Sequence, residues 1–197
     1  MGNKREVVAL IPVREGSQRV KQKNFKPFSN EKSLLNLKIK QLQDADCFDK
    51  IYISSDSDLA KDIAHDEGAS FLYRDPYMCG HEARLYEYNN YMLNTIPGDP
   101  IVAWTMTTAP LFDDYMSVVS KYLSLDVKSH DSLITVIPYN GFLVDVNAKP
   151  INCSFGHWHL LTQELRESYE ITGGGYMGDI ESFLLGDYYG TIRLLKQ

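Results

Sequence analysis

Apolar positions along this chain follow two alternating rhythms. Val7 to Val13 is apolar on both alternations, the pattern of a strand buried on both faces of a parallel sheet. From Ser33 the spacing changes. Leu35, Ile39 and Leu42 recur at i, i+4 and i+7, which puts them on one helix face with Ser33 as N-cap. KIYISS, from Lys50 to Ser55, reads as the next strand, and Leu59, Ala60, Ile63 and Ala64 as a helical stripe stopped by Gly68. SFLY then predicts a strand, residues 82–95 a helix, IVAWT a strand, DDYMSVVSKYLSL a helix and SLITVI a strand. Strands alternating with helices of this length build βαβ units, so the predicted fold class is α/β: a mostly parallel sheet flanked by helices.

The rhythm breaks after Pro138. FLVDVNAKPINCSF predicts two short strands joined by a turn at Asn147 to Pro150, an inserted β-hairpin that either folds back on its own domain or reaches a second subunit. No linker, repeat or low-complexity segment interrupts the chain, so the expected partition is one domain over 1–197 with an insertion at 139–170. At 197 residues it is long enough for one substantial core.

Charge sharpens the picture. The formal net charge is −6, which argues against a broad nucleic-acid-binding face and leaves room for a local cationic pocket. The N-terminal apolar run is too short to span a bilayer, so no membrane association is expected. Cys47, Cys79 and Cys153 are scattered, without a CxxC or Cys/His cluster, and read as reduced thiols of a cytoplasmic protein.

Against that acidic background, IPVREGSQRVKQKNFKPF gathers Arg14, Arg19, Lys21 and Lys23 against the single Glu15 just after the first strand. Ligands in open α/β sheets bind beyond the carboxyl ends of the strands. Gly16 lets backbone approach a ligand, Ser17 offers a hydroxyl, Arg14 can grip a phosphate bidentately and Lys23 can act as a mobile point charge. The combination points to a polyphosphate site that is neither a Walker A loop nor a Rossmann fingerprint. Ser54 to Asp56 end a strand, where helix capping is the first reading and ligand contact the second. His157 and His159 flank Trp158 without a third metal ligand nearby and read as structural.

The segment IPVREGSQRVKQKNFKPFSNEKSLL resembles the R-x-x-S-x-x-x-x-x-K-N opening of the acylneuraminate cytidylyltransferase (CMP-sialic acid synthetase) family. KIYISSDSDLAKDIAHDEGASFLYRDP, TMTTAPLFDD and TQELRESYEITGGGYM are similar to further stretches of that family, in the family's order. The resemblance implies a Rossmann-like nucleotidyltransferase fold and transfer of CMP from CTP to a sialic-acid-like keto-acid sugar, with Mg2+ as cofactor. It also implies that Arg14, Ser17, Lys23, Asn24 and Arg74 bind nucleotide, with Arg14 and Lys23 catalytic on the triphosphate. Gln163 and Glu164 fall in the sugar-binding region, and residues 139–170, with Phe142, Leu143, Val144 and Trp158, in the arm that makes a homodimer.

Three departures separate this chain from the family pattern. Met106 and Phe112 replace a glutamine and an arginine, His81 stands where an aspartate is usual, and the late D-x-D that holds Mg2+ has no counterpart before TIRLLKQ. Asp56, Asp179 and Asp187 are the carboxylates left to consider as metal ligands. The expectation is therefore an active cytidylyltransferase with an altered metal site. Behind it stand a homologue that binds nucleotide or sugar in a regulatory role without turnover, and an unrelated α/β binding module.

Overall fold

The computed structural model describes residues 5–17, 19–126, 128–184 and 192–196. Strands β1 (Val7–Pro12), β2 (Lys50–Ser55), β3 (Ser70–Tyr73), β4 (Ile101–Trp104), β5 (Ser132–Tyr139), β6 (Ser168–Asp179) and β7 (Ile192–Lys196) form one sheet in the order β3-β2-β1-β4-β6-β5-β7. All neighbouring pairs are parallel except those made by β6, which runs antiparallel to both β4 and β5. That reversal is the chief departure from the simple βα reading.

Alternate residues of β1 feed opposite faces of the sheet. Ala9 and Ile11 pack with Leu35, Ile39 and Leu42 of helix α1 (Leu34–Asp44), with Ile53, and with Ala60 and Ala64 of α2 (Asp58–Asp66). Val8 and Leu10 point the other way, into a cluster with Tyr52, Trp104, and Met92 and Leu93 on the face of an α-helix at Leu85–Thr95, numbered α4 because the short α3 (Pro76–Cys79) precedes it. Ser33 caps α1 as predicted, its side chain accepting from the Asn36 backbone N–H at 3.1 Å. Leu59, read as part of the α2 stripe, is instead exposed, while Ala60 and Ala64 carry the buried face. Helix α5 (Tyr115–Leu123) sets Val118 and Val119 against Leu133 and Met177 on the α1 side of the sheet.

The inserted segment differs from its prediction. The two expected strands reduce to one antiparallel bridge between Val144 and Pro150. The turn between them is held by the Asp145 carboxylate, which accepts from the backbone N–H groups of Asn147 and Lys149 at 2.8 and 2.9 Å. Backbone bonds close the same turn, Asp145 N–H donating to the Lys149 carbonyl and Ile151 N–H to the Leu143 carbonyl, each at 2.8 Å. A 3-10 turn (Thr162–Glu164) follows before β6. No described helix is long and apolar enough to cross a membrane.

Candidate functional site

In the strand order, β2 and β3 lie to one side of β1 and β4 to the other. The chain thus reverses its winding between β1 and β4, and such a switch point opens a crevice at the carboxyl ends of the strands. A cavity of about 300 Å³ occupies that crevice. Val13 and Arg14 enter it from the end of β1, Arg74 from the end of β3, and Met106 and Thr107 from the end of β4.

Arg14, Ser17, Lys23, Asn24 and Arg74 all line this cavity. Gly16 does not, and a side chain built there would meet nothing within 4 Å. Arg19 and Lys21 are exposed and do not line it, so of Arg14, Arg19, Lys21 and Lys23 two stand in the cavity wall. No carboxylate stands among the lining residues. Three cations with no carboxylate in the lining make a locally positive hollow in an acidic protein, which draws in anions.

Hydrogen bonds fix these groups in place. Asn24 is buried; its Nδ2 donates to the Arg14 carbonyl at 3.3 Å, and its Oδ1 accepts from Thr107 Oγ1 at 2.9 Å. This pair ties the loop after β1 to the loop after β4. Arg14 Nη1 donates to the carbonyls of Cys79 (3.0 Å) and Gly80 (3.4 Å), closing the third wall. Glu15 leans outward, accepting from Ser57 Oγ at 3.2 Å and Gln22 Nε2 at 3.3 Å. Ser57 N–H in turn donates to Ser55 Oγ, so the Ser54 to Asp56 segment serves partly as a turn brace.

Arg74 is 3% exposed. Its Nε donates to Cys79 Sγ and its Nη1 to Met92 Sδ, both at 2.9 Å, and its Nη2 donates to the Val13 carbonyl. Two soft sulfurs and one carbonyl are weak company for a buried cation, and a guanidinium has five N–H groups. The two left over give Arg74 capacity to hold an acceptor in the cavity. Burial raises the Cys79 thiol pKa while the adjacent Arg74 opposes the rise, so Cys79 acts as a neutral wall rather than a nucleophile.

Lys38, on α1, was not among the residues singled out by the sequence. It is fully buried, and its Nζ donates to the carbonyls of Ala109 and Phe112 (each 3.0 Å) and to the Tyr115 hydroxyl (2.6 Å). Burial lowers its pKa to about 8, with nearby Asp113 opposing the drop. Gln41, one turn on, donates to the Pro110 carbonyl at 2.8 Å. Together they shape the TMTTAPLF loop that walls the cavity. On sequence alone Lys38 looks like one more polar residue of an amphipathic helix.

The carboxylates proposed for a metal fare differently. Asp179 ends β6, and because β6 is antiparallel it lies beside Ile101, at the start of β4 and so at the strand ends opposite the cavity. There it accepts from Arg5 and Ser182. Asp187 falls outside the described residues. Asp56 follows β2 with its Oδ1 buried and unpartnered, but without a second carboxylate. Among the described residues no three His, Cys, Asp or Glu are grouped to hold a metal ion. Mg2+ is held by one or two protein carboxylates together with substrate phosphates, and Asp56, whose carboxyl meets the lining residue Cys79, could supply one. His159 packs against Phe142 and Phe155, its Nδ1 2.8 Å from the Ser154 carbonyl, in a structural role.

Gln163 and Glu164 sit in the exposed 3-10 turn of the insertion, outside the cavity wall, where Glu164 accepts from the Leu161 N–H at 2.9 Å. A second, smaller cavity of about 70 Å³ adjoins the first, sharing Tyr88 and Met106 with it.

Comparison with known proteins agrees with this geometry. The N-acylneuraminate cytidylyltransferase of Streptococcus agalactiae serotype V is 24% identical over 199 residues, covering 94% of this chain and 46% of that protein. A Helicobacter pylori protein named as pseudaminic acid cytidylyltransferase and UDP-2,4-diacetamido-2,4,6-trideoxy-beta-L-altropyranose hydrolase is 27% identical over 185 residues, covering 89% of this chain and 35% of its own length. The chain thus spans less than half the length of these relatives. Among solved structures, a CMP:2-keto-3-deoxy-manno-octonic acid synthetase complexed with CTP superposes with a TM-score of 0.68 at 11% identity, over 98% of this chain and 90% of that one, a likeness of fold. The family profile described as Cytidylyltransferase matches residues 8–126, from the first strand to just past α5 and so through every wall of the crevice. On that match, across more than half of its length, this chain belongs to the cytidylyltransferase family.

Proposed function

We propose that the chain transfers CMP from CTP to a sialic-acid-like keto-acid sugar and releases pyrophosphate. The observation that carries this reading is the convergence of Arg14, Lys23 and Arg74 on one carboxylate-free crevice at the switch point of the sheet. The names of the relatives support the sugar class.

In this mechanism the triphosphate lies along the loop after β1, with Arg14 and Lys23 against its oxygens, and Asn24 and Arg74 hold the nucleoside. The sugar hydroxyl attacks the α-phosphorus, the bond to the bridging oxygen breaks, and pyrophosphate departs with that oxygen. Negative charge grows on the departing phosphates as the bond lengthens, and fixed guanidinium and ammonium groups stabilise it without reorganising. Orientation supplies most of the remainder. No step is routed through a metal. Gln163 and Glu164 are proposed to meet the sugar from the insertion.

Residues 139–170 are proposed as the contact arm of a homodimer. Trp158 is 80% exposed and Val146 fully so, and Phe142, Leu143 and Val144 are also exposed, an apolar surface that a second copy would cover. The test of function is pyrophosphate release from CTP across a panel of keto-acid sugars. Release that needs both substrates is expected; none with any sugar would refute the proposal.

A further inference from the structure

Helix α1 turns one charged side chain inward. Lys38 is fully buried, and its ammonium has the carbonyls of Ala109 and Phe112 and the Tyr115 hydroxyl as acceptors for its three N–H groups. Taking an ammonium out of water carries a large desolvation cost. A neutral amide anchors a loop carbonyl without that cost, and Gln41 on the same helix does so at Pro110. The charge at position 38 therefore calls for a use beyond anchoring.

The loop that Lys38 gathers is a wall of the crevice. It starts at Thr105, whose N–H and Oγ1 donate to the Leu10 carbonyl on β1 at 2.9 and 3.2 Å, and ends at Tyr115. Between these anchors Met106, Thr107 and Thr108 line the crevice, while Ala109 and Phe112 are drawn to α1. Two turns join these halves: Ala109 N–H donates to the Met106 carbonyl at 3.2 Å, and Phe112 N–H to the Ala109 carbonyl at 3.3 Å. On the crevice side Thr107 Oγ1 donates to Asn24 Oδ1, which leaves Asn24 Nδ2 to donate to the Arg14 carbonyl. Hydrogen bonds and short stretches of backbone thus connect Lys38 to Asn24 and Arg14. The ammonium also stands beside Ala109, the neighbour of the lining residue Thr108, in an interior where charges act more strongly than in water.

We infer that Lys38 is a positioning residue for the nucleotide: its ammonium sets the loop after β4, through Thr107 the amide of Asn24, and adds positive charge behind the crevice. This rests on the transferase reading above, because it gives the crevice to CTP. The effect is reciprocal: where charged Lys38 favours CTP, bound CTP favours charged Lys38. In the free protein burial lowers the Lys38 pKa to about 8. Asp113 is the charged group that bears on it, and Tyr115 the titratable group in contact with it. Burial, aided by Asp113, raises the Tyr115 hydroxyl, so Tyr115 stays protonated while Lys38 titrates.

The test is carbon NMR of isotope-labelled lysine side chains in the intact protein, titrated from about pH 6 to 11 with and without saturating CTP. One lysine should titrate near pH 8 in the free wild type and be missing from Lys38→Gln. CTP should move that midpoint up by about 0.7 of a pH unit or more, equivalent to about fivefold in affinity between the two forms. Lys38→Gln keeps two N–H groups for the two carbonyls and drops the charge. By calorimetry at neutral pH it should bind CTP at least about fivefold more weakly than the wild type. A midpoint that CTP leaves unmoved or lowers would overturn the inference, because a lysine that only holds the loop gives no upward shift. A variant that binds CTP as tightly as the wild type would overturn it as well. If the variant does not fold, the wild-type titration decides alone. A wild type that binds no CTP overturns the transferase reading and this inference with it, a result distinct from CTP binding that leaves Lys38 unmoved.

Discussion

Arg14 and Arg19 lie five positions apart in one basic loop, and the structure gives them different fates. Arg14 bridges into the crevice wall through Cys79 and Gly80, whereas Arg19 faces solvent. Arg14→Ala should therefore weaken CTP binding by at least about tenfold, the scale of a charge-assisted hydrogen bond of about 1.5–3 kcal/mol. Arg19→Ala should change it less than about threefold at moderate salt. Titration calorimetry distinguishes the two. Lys38 carries a prediction about pH. In the unfolded chain its pKa is 10.5, and in the fold about 8, so between these values the unfolded state binds the extra proton. Stability should thus rise with pH across that window, by up to about 1.4 kcal/mol per unit from this group, and be flat in it below about pH 8. Urea denaturation at several pH values should show the rise in the wild type and its loss in Lys38→Met. At this scale the sequence was readable where chemistry sits beside a strand end, as with Arg14 and Lys23. Lys38 escaped because its burial is set by partners more than seventy positions away, at Ala109 and Phe112.

Among the elements, α1 does two jobs. One face closes the core through Leu35, Ile39 and Leu42, and Lys38 and Gln41 hold the loop after β4. Ile39→Ala should cost about 2–5 kcal/mol, the range for a truncated core side chain, measurable by chemical denaturation. Ser33→Ala should cost about 1 kcal/mol through loss of the cap. Periodicity predicted α1, β1, β2 and β4 well because each has a strongly one-sided or wholly apolar pattern. It did not reveal that β6 runs antiparallel between β4 and β5, since direction depends on the connection through the insertion rather than on residue alternation. The predicted hairpin at 142–155 is present in short form: one bridge, Val144 with Pro150, flanked by backbone bonds from Asp145 to Lys149 and from Ile151 to Leu143, around a turn that the Asp145 side chain also braces.

For the molecule as a whole, the winding reversal between β1 and β4 brings three loops to one crevice, and the cations follow from it. The proposed dimer belongs to this scale too. Trp158→Asp in the arm should shift light-scattering mass toward the monomer, and an unchanged mass would count against the arm as the contact. The most direct test of the central claim is calorimetric titration of the intact protein with CTP, alongside Arg14→Ala. Saturable binding of one CTP per chain, sharply weakened in Arg14→Ala, is the predicted result. Absence of binding, or equal affinity in the two proteins, would contradict the assignment of this crevice to a nucleoside triphosphate.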